Sequence, residues 1–140
     1  MRQYSIDNEA MIRTSSEPVP YRTQFSDGIH QNTADTTAGN GGGSSGFRPH
    51  DLLEAALATC VNMTVRMYAD RHGIPLAGVT TTVSLDRAVP EEAVFRYEVA
   101  LEGELTAGQR DRLMRAASAC PVRRTLSRKI RFESGAGEAG

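Results

Sequence analysis

Two periodicities divide the middle of the chain. From Pro49 to Tyr68, Leu53, Ala56, Leu57, Cys60, Met63, Thr64 and Met67 recur at three- and four-residue intervals, the spacing of one helical face. No Gly or Pro interrupts the run. Pro49 and Asp51 suit a first helical turn and Gly73 suits a C-cap, so a helix is predicted from Pro49 to near His72. Positions 55–65 carry no charge on any side, which predicts burial nearly all round, with Cys60 in the middle.

Beyond Pro75 the period becomes two. Val79, Thr81, Val83 and Leu85 alternate with Thr80, Thr82 and Ser84; Phe95, Tyr97, Val99 and Leu101 alternate with Arg96, Glu98 and Ala100. These read as half-buried strands joined through Val89-Pro90-Glu91-Glu92 into an antiparallel hairpin. Thr106 and Gln109 form a capping box for a second helix, whose inner stripe is Leu113, Ala116, Ala117 and Cys120. Pro121 breaks or kinks the chain, and Ile130 with Phe132 suggests a final short strand. Upstream, two short runs flank Ser26-Asp27-Gly28, a plausible turn of another hairpin because Gly supplies positive φ. The polar stretch 1–20, broken by Pro18 and Pro20, reads as an extended arm. Residues 34–46 form a glycine-rich loop, either linker or flap. The organisation expected is an arm, one domain over 21–134, and a disordered tail over 135–140. The class is α+β: an antiparallel β-sheet packed on a long buried helix.

A length of 140 residues agrees with a single domain able to bury a core without metals or disulfides. Sixteen basic against seventeen acidic side chains give a formal charge of −1, so neither nucleic acid nor a membrane is expected as partner. No apolar run approaches the roughly 20 residues of a bilayer span, and the first residues lack a signal-peptide core. A cytoplasmic location is the expectation. The two cysteines, Cys60 and Cys120, are too few for a secreted disulfide scaffold. They are buried packing residues or a redox pair.

A redox role is chemically specific. A thiolate attacks the O–O bond of a peroxide and becomes a sulfenic acid, and a second thiol then condenses with it to a disulfide. Apolar burial raises a thiol pKa, so Cys60 would need a polar partner. His50 precedes it by ten residues, about 15 Å along a helix axis. Arg13, Arg22 and Arg48 are other candidates. His30, His50 and His72 show no metal-ligand spacing, so neither a metal nor a cofactor is expected. The cluster Arg123, Arg124, Arg128, Lys129 and Arg131 reads as a solvated face, since no aromatic residues interleave for base stacking.

The stretch Pro49-His50-Asp51-Leu52-Leu53-Glu54-Ala55-Ala56-Leu57-Ala58-Thr59-Cys60-Val61-Asn62-Met63-Thr64 resembles the central helix of the OsmC/Ohr superfamily. Leu101-Glu102-Gly103-Glu104-Leu105 and Cys120-Pro121-Val122-Arg123-Arg124-Thr125-Leu126 resemble its second signature, and Ser26-Asp27-Gly28 its upstream turn. The likeness covers about residues 20–134. It implies an intertwined homodimer of α+β subunits with sites at the dimer interface, and a thiol peroxidase acting on organic hydroperoxides or hydrogen peroxide. It further implies a thiol reductant, in the Ohr branch typically a lipoylated protein, with Cys60 peroxidatic and Cys120 resolving. The position of the family's glutamate is held here by His50, and counting to its arginine lands on Val19; Arg22 or Arg13 would have to substitute. The alternative is a non-catalytic dimeric module that binds a small apolar ligand or senses redox state.

Overall fold

The computed structural model describes residues 11–135, which fall into two compact units divided between Leu53 and Glu54. The first half of the arm, residues 1–10, and the tail beyond Gly135 lie outside the described residues. In the N-terminal unit, β1 (Arg13–Ser16), β2 (Thr23–Ser26) and β3 (Gln31–Ala34) form an antiparallel sheet in that order. β1 lies within the segment expected to be an arm; Ser15 pairs with Gln24 and Thr14 with Phe25. The β2–β3 turn forms where Asp27-Gly28 foretold it. Asp27 Oδ1 accepts from the amides of Ile29 (2.8 Å) and His30 (2.6 Å), while Gly28 takes φ +96°.

The glycine-rich loop is neither linker nor flap. It winds round Asp35, only 3% exposed, whose carboxylate accepts from the amides of Thr36, Gly43 and Ser45 and from Ser45 Oγ at 2.7–3.1 Å. The hydroxyl and amide of Ser45 are the main reasons its pKa falls to about 2. Close approach explains the glycines: a Cβ on Gly42 would lie 2.3 Å from the Thr36 carbonyl oxygen, and one on Gly46 2.2 Å from that of Thr33.

The long helix α1 runs Pro49–Arg71, as its sequence signals require. In the second unit it is followed by β4 (Gly78–Asp86), β5 (Val94–Glu102), α2 (Ala107–Ser118) and α3 (Pro121–Leu126). β4 and β5 pair antiparallel along their length, Val83 opposite Tyr97 and Thr81 opposite Val99. Val79, Thr81, Val83 and Leu85 are half-buried as the alternation predicts, while Thr80, Thr82 and Ser84 are exposed. Asn62 ties this face to α1, accepting from Thr81 Oγ1 (2.6 Å) and donating to the Val79 carbonyl (3.2 Å).

The core gathers Leu57, Val61, Val65 and Ala69 of α1 with Ile74, Leu76, Leu113, Ala117 and Cys120. This four-residue ladder is narrower than the predicted burial. Within one chain α1 is not enclosed all round: Leu53, Met63 and Met67 are 43%, 58% and 53% exposed. Lack of charge marks a face that water does not have to solvate, not one that the same chain covers. The predicted strand at Ile130 and Phe132 is likewise absent. Residues 129–135 have no regular structure and Phe132 is 94% exposed, because no strand pairs with them there.

Candidate functional site

Cys60 lies about three turns into α1, one position before buried Val61. It is therefore half-buried, at the edge of the core rather than inside it. Thr64, one turn later, brings its hydroxyl to 4.0 Å from Sγ. Cys120 is completely buried and belongs to no helix interior: it is the N-cap of α3. Pro121 follows at the first helical position, where no amide is needed, and the Arg123 amide donates to Cys120 Sγ at 3.3 Å. Pro121 therefore starts a helix as well as ending one. The Arg123 guanidinium turns back to the Ser118 carbonyl at 2.5 Å and braces the α2–α3 joint.

The fold brings the two sulfurs together although 60 positions separate them. Burial is the largest influence on Cys120 and pushes its thiol pKa up. The neighbouring Cys60 adds to the rise, as hydrogen-bond partner and as like charge, while the amides of Arg123 and Val122 pull the other way and lose. Cys120 thus stays protonated at neutral pH. Both cysteines are free, so the arrangement is a dithiol with one member accessible and the other enclosed. Such a pair suits two-step sulfur chemistry, the accessible atom meeting an oxidant and the enclosed thiol closing the disulfide.

Of the other sequence candidates, all but His72 lie in the N-terminal unit. Arg13 is exposed on β1, and the Arg22 guanidinium is paired with Glu17 just before β2. His50 is exposed in the first turn of α1, and Arg48 pairs with Asp51 at 2.7 Å. His30 meets the Asp27 carboxylate at 2.9 Å; the His72 ring stacks on Tyr68 with centroids 4.0 Å apart. Sequence reading missed the groups that touch the sulfurs, Thr64 and the Arg123 amide. The signal for the second was present, since Pro at a helix's first position makes the preceding residue its cap.

The family model for OsmC-like protein matches residues 41–135, which include α1, both cysteines and everything between them. No curated protein sequence matches. Among solved structures, an osmotic stress and detoxification response protein from Psychrobacter arcticus superposes with a TM-score of 0.70 at 23% identity, over 81% of this chain and 85% of that one. An OsmC-like protein from Mycoplasma pneumoniae gives 0.66 at 18% identity, over 86% and 89%. An organic hydroperoxide resistance protein from Legionella pneumophila gives 0.58 at 24%, over 84% and 88%. At these identities the likeness is one of fold.

Proposed function

We propose a function on the premise that the chain belongs to the OsmC-like protein family: it is a thiol-dependent peroxidase for organic hydroperoxides, with Cys60 peroxidatic and Cys120 resolving. The observation that carries this reading is the pairing of a half-exposed and a fully buried thiol in one core cluster. The Cys60 thiolate attacks the distal oxygen of R–O–OH. The O–O bond breaks, Cys60 becomes a sulfenic acid, and the alkoxide leaves as ROH after taking a proton. Cys120 then attacks the sulfenic sulfur, its thiol proton leaves with the hydroxyl as water, and the Sγ–Sγ bond forms. A thiol reductant returns two electrons. The apolar flank of the dithiol favours an organic peroxide over a small polar one.

The active form in this reading is a homodimer. The uncharged α1 face with Ala56, Met63 and Met67 is uncovered in one chain, and a second copy would seal it beside Cys60. No helix among the described residues is long and apolar enough to cross a membrane. A dithiol that must be returned to its reduced form fits the cytoplasm. The test is consumption of cumene hydroperoxide with excess dithiothreitol. Turnover that disappears in Cys60→Ser supports the reading, and a Cys60→Ser rate equal to that of the parent protein removes it.

A further inference from the structure

We propose that residues 107–131, comprising α2, α3 and the segment after them, dock an acidic polypeptide dithiol that reduces the Cys60–Cys120 disulfide. This rests on the peroxidase reading and names the chemistry of its reductant. Charge is sharply segregated along the chain. Between 107 and 131 eight cations stand against one acid, Asp111, whereas the whole chain carries a formal −1. Elsewhere in the described residues four of seven cations meet carboxylates, Arg22 with Glu17, Arg48 with Asp51, Arg66 with Asp70 and Arg96 with Asp86, while Arg13, Arg71 and Arg87 do not. In the basic segment only Arg131 does so, with Glu133.

The remaining cations there have no carboxylate partner among the described residues. Arg110, Arg112 and Arg123 reach the Leu101 carbonyl, the Tyr68 hydroxyl and the Ser118 carbonyl, and Arg115, Arg124, Arg128 and Lys129 are exposed. Neutral acceptors hold three of the side chains without cancelling their charge. The segment thus carries a local excess of cations that, Arg131 apart, no carboxylate among the described residues pairs directly, and a partner supplying carboxylates would do so.

Position makes the patch relevant to the dithiol. Cys120 lies between α2 and α3, inside the basic segment, and Arg123 contacts its sulfur through the backbone. Met114, Ile130 and Phe132, at 42%, 54% and 94% exposure, add apolar contact area to the same stretch. Arg, Met and aromatic side chains together are the composition of protein-binding surfaces. A nucleic acid fits less well, since aromatic platforms do not interleave with the cations and the rest of the chain is net acidic.

The redox step balances. A partner thiolate attacks Cys60 Sγ, the more accessible sulfur, and the Sγ–Sγ bond breaks as a mixed disulfide forms. Cys120 leaves as a thiolate beside the Arg123 amide and takes a proton. The partner's second thiolate then attacks its own sulfur in the mixed disulfide, releasing Cys60. Two electrons have passed from the partner, which departs as a disulfide.

The experiment uses two synthetic peptides with a Cys-Gly-Pro-Cys centre, one flanked by glutamates and one by lysines, with dithiothreitol as neutral control. At low salt the glutamate peptide should reduce the oxidised protein about tenfold or more faster than the lysine peptide, the advantage fading in molar salt. The double variant Arg124→Glu with Arg128→Glu should lose that preference and keep the dithiothreitol rate. Equal rates for the two peptides, or a preference the double variant retains, overturn the proposal. Docking is also read without thiol chemistry, by fluorescence anisotropy of a glutamate peptide bearing Ser for Cys on the reduced protein. If no disulfide forms, the peroxidase reading fails while this arm still decides the docking: binding lost in the double variant supports it, no binding overturns it. Tighter binding of mixed-sequence duplex DNA than of the peptide at physiological salt overturns it in favour of nucleic acid.

Discussion

Asp35 and Cys120 are both buried titratable groups, and their surroundings push them in opposite directions. Asp35 receives donors from a loop folded for that purpose, and the hydrogen bonds overcome burial, so its pKa falls to about 2. Cys120 receives amide donors too, but it sits among Leu, Val and Ala side chains beside a second thiol, and burial wins. A buried charge that is fully hydrogen-bonded organises a loop and is spent on structure. A buried neutral thiol beside a second thiol keeps its sulfur free of such a structural commitment. The difference lies in what each could react with: Asp35 faces hydroxyl and amide groups, whereas Cys120 faces Cys60.

The comparison breaks most easily from the core side. Leu113→Ala removes a fully buried side chain from the cluster that encloses Cys120 and should cost about 2–5 kcal/mol in a urea titration. A change under about 1 kcal/mol would mean that the thiol's surroundings are not tightly packed. Asp35→Asn sharpens the other side. Because the folded pKa lies below the ordinary 3.8, the stabilisation is complete above that value and fades as pH falls from 3.8 towards 2. The parent protein should weaken across this window, and Asp35→Asn should lose that part of the slope while being less stable at neutral pH.

The sign is reversed for Cys120. Its folded pKa exceeds the ordinary 9.0, so above 9.0 the unfolded chain ionises first and stability falls as pH rises. Cys120→Ala should flatten that alkaline decline, at a cost near neutral pH of about 1–2 kcal/mol, because it removes a buried side chain whose sulfur caps α3 through the Arg123 amide. An unchanged alkaline slope would show that another group causes it. The smallest effect is expected at the α2 cap. Thr106→Ala removes the hydroxyl that accepts from Gln109 N–H at 3.1 Å and should cost about 1 kcal/mol without altering the reactivity of either thiol.

Features with a local cause were legible in the sequence. The β4–β5 hairpin follows from strict alternation, the α2 start from Thr106 and Gln109, and the ends of α1 from Pro49 and Gly73. The two cysteines stand out as well, because their flanking motifs resemble one family, although Cys120 caps α3 rather than lining the inner stripe of α2. What stayed hidden depends on distant partners. The exposure of Met63 and Met67 is decided by what covers α1, and Ile130 with Phe132 alternates like a strand but finds no edge to pair with. The loop on Asp35 reads as flexible because its glycines suggest freedom, whereas close backbone approach is what requires Gly42 and Gly46. Arg13, Arg22 and His50 suggest themselves only by position along the chain, whereas the groups touching the sulfurs are Thr64 and a backbone amide.

The claim that this thiol pair is chemically coupled is tested most directly by treating the reduced protein with one equivalent of cumene hydroperoxide, blocking free thiols and mapping peptides by mass spectrometry. Rapid formation of a Cys60–Cys120 cross-link, absent in Cys60→Ser and replaced by a Cys60 sulfenic acid in Cys120→Ser, is the expected result. Two alkylated, unlinked cysteines, or slow oxidation of methionines ahead of Cys60, would contradict it.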